Sequence, residues 1–145
     1  MKKAFLAFSA LVTIHFTNAQ VTVPKTPVST TAATAIKDFI KPPAIGDIGG
    51  TTSGIVDMLT SKLALPGTQK PKLTEAISSF LTSKKGITGL ADTNPAGYLS
   101  KFNPLQKGLF SKLKSTMGAA AFTKFLGLKP SGSNIAGNAL SNLFF

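Results

Sequence analysis

The chain has no cysteine, no tryptophan and no arginine, and only one histidine, one tyrosine and five acidic residues. Each scarcity excludes something. Without cysteine there are neither disulfides nor thiolate metal sites, so apolar burial alone must support a fold. The histidine, His15, falls in an N-terminal leader, so the mature chain has no imidazole to activate a Ser or Thr nucleophile. The five acids, Asp38, Asp47, Asp57, Glu75 and Asp92, stand isolated and form neither a carboxylate pair for general acid and base work nor a metal-ligand spacing. Ser111 and Lys112 are no catalytic pair, because adjacent helical residues point about 100° apart. The expectation is a chain that is not an enzyme and holds no cofactor and no metal. The missing arginine speaks against specific nucleic-acid recognition, which leans on its planar, bidentate fork.

What is present begins with a leader. MKKAFLAFSALVTIHFTNAQ sets two lysines before an apolar run from Ala4 to Ile14, then Thr17-Asn18-Ala19 before Gln20. That is the pattern of a secretory signal peptide over residues 1–19, cleaved after Ala19. The run is well short of the ~20 residues that span a bilayer. The mature protein is therefore expected to be exported, periplasmic or extracellular, without a transmembrane span. Residues 20–45 read as a tether rich in Pro and Thr. Pro24-Lys25-Thr26-Pro27 is linker spacing rather than a recognition motif, and a short helix is expected from Thr31 to Ile40, ending before Pro42.

Residues 46–145 carry helical periodicity. The glycine-rich stretch from Gly46 to Gly54 matches no phosphate-binding pattern and reads as a hinge leading into a first helix, from Thr52 or Ser53 to Leu63, that buries Ile55, Met58, Leu59 and Leu63. Pro66-Gly67 stops it. A second helix from near Thr68 gathers Leu73, Ala76, Ile77, Phe80 and Leu81 on one arc. Lys84 and Lys85 are expected at its negative end with Gly86 left-handed after them. Asn94-Pro95 and Asn103-Pro104 each read as a cap followed by a first helical proline. Helices are expected over 104–117, with Leu105, Leu109, Phe110, Leu113 and Met117 inward and Lys107 and Lys114 outward, then over 119–126 and 134–144. Tyr98 reads as a core or interface residue.

Two stretches, 59–81 and 122–144, echo each other: Thr60/Thr123, Leu63/Leu126, Leu65/Leu128, Ala76/Ala139 and Ser78/Ser141 coincide. The expected fold is therefore all-α, a small bundle of five to seven short helices with two pseudo-repeated helical hairpins around a core lined by Phe80, Phe102, Phe110, Phe122 and Phe125. Charge is the remaining signal. After Asp92 there is no acid, while Lys101, Lys107, Lys112, Lys114, Lys124 and Lys129 all follow. These six form the candidate anion-binding face, for which anionic lipid, lipopolysaccharide or acidic glycan are the expected partners. The function expected is an exported, non-catalytic binding or structural module of the bacterial-envelope type. The alternative is a carrier or sensor of a small apolar ligand or lipid within the bundle, which a cavity would favour.

Overall fold

The computed structural model describes residues 39–145; the leader, most of the tether, Asp38 and most of the helix expected over 31–40 lie outside the described residues. Of that expected helix, Phe39 and Ile40 belong to no helix. The described chain is helical, with no strand: α1 (Ile48–Leu63), α2 (Lys70–Lys85), α3 (Leu90–Thr93), α4 (Pro95–Gly127) and α5 (Ser141–Phe144), plus single 3-10 turns at Gly67–Gln69 and Gly132–Asn134.

The first helix starts four residues earlier than the periodicity indicates. Its cap is Asp47, whose carboxylate accepts the Gly50 N–H at 2.6 Å, so most of the glycine-rich stretch lies inside the helix. Thr52 is buried instead of capping. The helix turns Thr52, Ile55, Val56, Leu59 and Leu63 inward and stops at Ala64, left-handed at φ 50°, before Pro66. Through this turn α1 folds back on α2, which buries the five apolar residues its arc requires. Between α1 and α2 the surface ion pair of Lys70 and Asp57, at 3.0 Å, adds at most about 1 kcal/mol. Packing dominates.

Beyond α2 the structure departs from expectation in three places. Gly86 is right-handed (φ −64°, ψ −20°), and Lys84 is wholly buried rather than set against the helix dipole in solvent. Asn94 does cap α4, accepting the Gly97 N–H at 2.9 Å, but Asn103-Pro104 starts nothing: Pro104 lies inside α4. An internal proline costs ~3 kcal/mol, chiefly by leaving the carbonyl four residues back without its donor. The continuous stripe of Tyr98, Phe102, Leu109, Leu113 and Met117 against the core offsets that cost.

The break comes instead at Gly118, with φ 82° and ψ 163°, a region essentially reserved for glycine, and 119–127 continues as a redirected segment. Gly118→Ala is accordingly expected to destabilise the fold by about 1–3 kcal/mol although nothing blocks its Cβ, which a urea midpoint would register. An unchanged midpoint would mean that the kink relaxes at no cost.

The third departure is the last helix. Only Ser141–Phe144 is helical. Gly137 at φ 78° interrupts the turn pattern, the Asn138 side chain takes the Leu140 N–H at 2.9 Å, and Ser141 Oγ donates to the Ile135 carbonyl at 2.7 Å. The second member of the expected repeat is thus no helical hairpin. It is a looped segment that seats Leu140, Leu143 and Phe144 in the core. Of the five core phenylalanines expected, Phe80, Phe102 and Phe125 are buried, while Phe110 and Phe122 are half-buried, Phe110 meeting Phe122, Phe125 and Phe144 edge-on. Phe39 and Ile45, from the stretch before α1, also pack on the core.

Candidate functional site

All six lysines of the candidate face are exposed. They do not form one stripe. At about 100° per residue, Lys101 and Lys112 fall close together on one flank of α4, and Lys107 and Lys114 on the other, with the buried stripe between. Lys124 follows the Gly118 kink, and Lys129 follows the helix, its Nζ 5.1 Å from the centroid of the Phe145 ring.

The first flank opens on a shallow groove between α2 and α4, about 490 Å³, lined by Lys72, Glu75, Ala76, Ser111, Lys112, Ser115 and Thr116. A carboxylate sits in it among two cations. The opposite flank, with Lys107 and Lys114, carries no acid on α4. The described acids are engaged elsewhere: Asp47 caps α1, Asp57 meets Lys70, and Asp92 meets Lys41 at 2.6 Å. None of the six lysines has an ion-pair partner among the described residues.

The most unusual cation in the molecule lies inside it. Lys84 has no solvent exposure; its Nζ donates to the Asn142 carbonyl at 2.8 Å and to the Phe145 carbonyl, and stands 5.5 Å from the Phe102 ring centroid. Burial disfavours the charged form and pushes the ammonium down from 10.5 to about 7. The carbonyls and the ring face act in the other direction but do not restore the ordinary value. Lys84 therefore ties α2 to the end of the chain, and Gln106 Nε2 reinforces it from α4 with a 2.9 Å bond to the Leu143 carbonyl.

Sequence reasoning missed Lys84, although the signal was there. It lies four residues after Phe80, seven after Ile77 and three after Leu81, in the middle of the buried arc of α2. Tyr98 stacks on the Phe102 ring at 5.3 Å, and Phe39 meets Tyr98 edge-on at 5.9 Å. The Tyr98 hydroxyl is buried with no hydrogen-bond partner among the described residues, and burial raises its pKa, so that it stays a neutral donor. Among the described residues no group of acids and histidine is placed to hold a metal ion. None of their helices is long and apolar enough to cross a membrane.

Comparison with known proteins gives no lead: no family model matches the chain, and neither a curated protein nor a solved structure is similar to it.

Proposed function

We propose that the protein is an exported, non-catalytic helical module that binds anionic surfaces of the cell envelope, such as anionic lipid, lipopolysaccharide or acidic glycan. The observation that supports this best is the pairing pattern: the described acids cap helices, pair with other lysines or sit in the α2/α4 groove, while the six lysines from Lys101 to Lys129 stand exposed without an ion-pair partner among the described residues. An array of one sign raises the local concentration of polyanions, most of all on the acid-free flank of Lys107 and Lys114. The export half of the reading rests on the leader pattern of residues 1–19.

Vesicle co-sedimentation tests it. Binding to vesicles containing anionic phospholipid should exceed binding to neutral vesicles and largely vanish at 1 M salt, where the Debye length is ~3 Å against ~10 Å at 0.1 M. Because both side chains are exposed, Lys107→Gln with Lys114→Gln should weaken binding about fivefold or more without changing the melting temperature. Equal binding to neutral and anionic vesicles would overturn the reading.

A further inference from the structure

One end of the bundle holds a cavity of about 240 Å³ between Phe39 and Ile40, residues 98–106 of α4, Lys129, and Phe144 with Phe145. We propose that this cavity binds a small carboxylate with an apolar body, such as a medium-chain fatty acid. Such binding needs neither Lys107 nor Lys114, and so stands or falls apart from the polyanion reading.

Size comes first. At ~30 Å³ for each water-sized group, the cavity has room for about eight heavy atoms, an alkyl chain with its head group at the rim. That is less than the 300 to 1,000 Å³ of sites for drug-sized ligands, so the ligand is small. Its lining sets the apolar side chains of Phe39, Ile40, Leu99 and Phe102 beside the polar ones of Asn103, Gln106 and Lys129, which suits a ligand with both an alkyl part and a polar head.

Charge selects the head group. Lys129 is the one ionised side chain in the lining, and no acidic side chain among the described residues contributes to it. Its ammonium lies over the Phe145 ring at the edge of the cavity. Behind the wall stands the second cation, Lys84, held against Phe102 and the Phe145 carbonyl. Lys129 favours an anion and disfavours a cation, and Lys84 adds to this below pH 7, where it is charged. Lys129, being exposed, neutralises a carboxylate without first losing its hydration, whereas Lys84 acts only through the wall.

The Tyr98 hydroxyl, without a partner among the described residues, is a second, separate pointer. A buried donor with no acceptor is an unfavourable feature that folded chains generally avoid. Tyr98 is part of the cavity wall, 1% exposed, and its hydroxyl is closed off with Phe39 edge-on to the ring.

The experiment is calorimetric titration of the full chain with sodium octanoate, 1-octanol and octylammonium chloride, with two-dimensional NMR to locate the bound probe. Octanoate is expected to bind at one saturable site, shifting signals of Leu99 and Phe102, about tenfold more tightly than 1-octanol, with octylammonium weaker than both. Hexanoate, shorter by two methylenes, should bind about tenfold more weakly than octanoate. Lys129→Gln should reduce octanoate to the affinity of 1-octanol, whereas Lys107→Gln with Lys114→Gln should leave it unchanged. Octanol binding as tightly as octanoate, no saturable site, shifts confined to another part of the surface, or equal losses in the two sets of lysine variants would each overturn the proposal.

Discussion

Raising the pH from 7 to 10 is expected to stabilise the fold by several kcal/mol. The cause is Lys84. Its native-state value is lowered to about 7, against 10.5 when the chain is unfolded. Below pH 7 both states carry the proton, and the folded state bears the full cost of a buried ammonium. Between 7 and 10.5 the unfolded state binds more protons than the native one, so stability climbs with pH, and above 10.5 the gain is complete. Each tenfold difference in proton affinity between the two states is worth ~1.4 kcal/mol, so the total is on the order of 3 to 5 kcal/mol.

Tyr98 sets the upper limit. Its burial keeps the phenol protonated in the native state after the unfolded chain has begun to ionise near 10.0, so stability falls again above that pH. Guanidinium midpoints measured from pH 6 to pH 11 should therefore pass through a maximum near 10. In Lys84→Met, which keeps the buried stem and removes the titrating group, the rise from 7 to 10 should disappear. A flat wild-type profile over that range would show that the carbonyl oxygens of Asn142 and Phe145 hold Lys84 charged at no net cost.

Phe125→Ala is expected to cost about 3–5 kcal/mol, the usual range for a fully buried phenylalanine truncated in a core. Phe125 has no exposure, stacks on Phe144 at 5.1 Å and meets Phe110 edge-on at 5.6 Å, so its ring joins the segment after the Gly118 kink to both α4 and the C-terminal stretch. With net stabilities of ordinary domains at about 5–15 kcal/mol, that is a large fraction of the total. Phe110→Ala should cost less, because its ring is half-buried, although it touches Phe122, Phe125 and Phe144. Urea denaturation of the two variants measures the difference. Equal losses would mean that the half-buried Phe110 ring is as tightly packed as the Phe125 ring.

The α1/α2 hairpin is legible in the sequence because periodicity and stop signals agree there. Leu73, Ala76, Ile77, Phe80 and Leu81 share an arc, and Pro66-Gly67 closes the preceding helix. Asn94-Pro95 and Asn103-Pro104 show why agreement matters. Both dipeptides satisfy the same local rule, yet only the first starts a helix, since the apolar stripe of α4 runs through the second and packing overrides a local cost of ~3 kcal/mol. The C-terminal stretch misleads for the opposite reason. Its apolar spacing imitates a helix, but Gly137 in the left-handed region and the side-chain bonds of Asn138 and Ser141 give the backbone a looped alternative.

The site is less legible than the fold. The charge asymmetry after Asp92 is visible at once, but its division into two flanks of α4 depends on the helix continuing through Pro104. Lys84 is hidden by residue type: a lysine near a helix C-terminus fits the dipole rule, and only its angular position among Ile77, Phe80 and Leu81 marks it as internal. The aromatic cavity is not readable at all. It is assembled from residues around 40, 100, 129 and 144, and nothing local joins them.

The claim on which both the core and the cavity wall depend is that Lys84 is buried against the carbonyl oxygens of Asn142 and Phe145. Following the Lys84 side-chain Nζ and Cε signals by NMR from pH 5 to pH 11, assigned through Lys84→Met, tests it most directly. A titration midpoint near 7 is expected, together with slow solvent exchange of the ammonium protons below that pH. A midpoint at the ordinary 10.5 with rapid exchange would place Lys84 in solvent and rule out its burial.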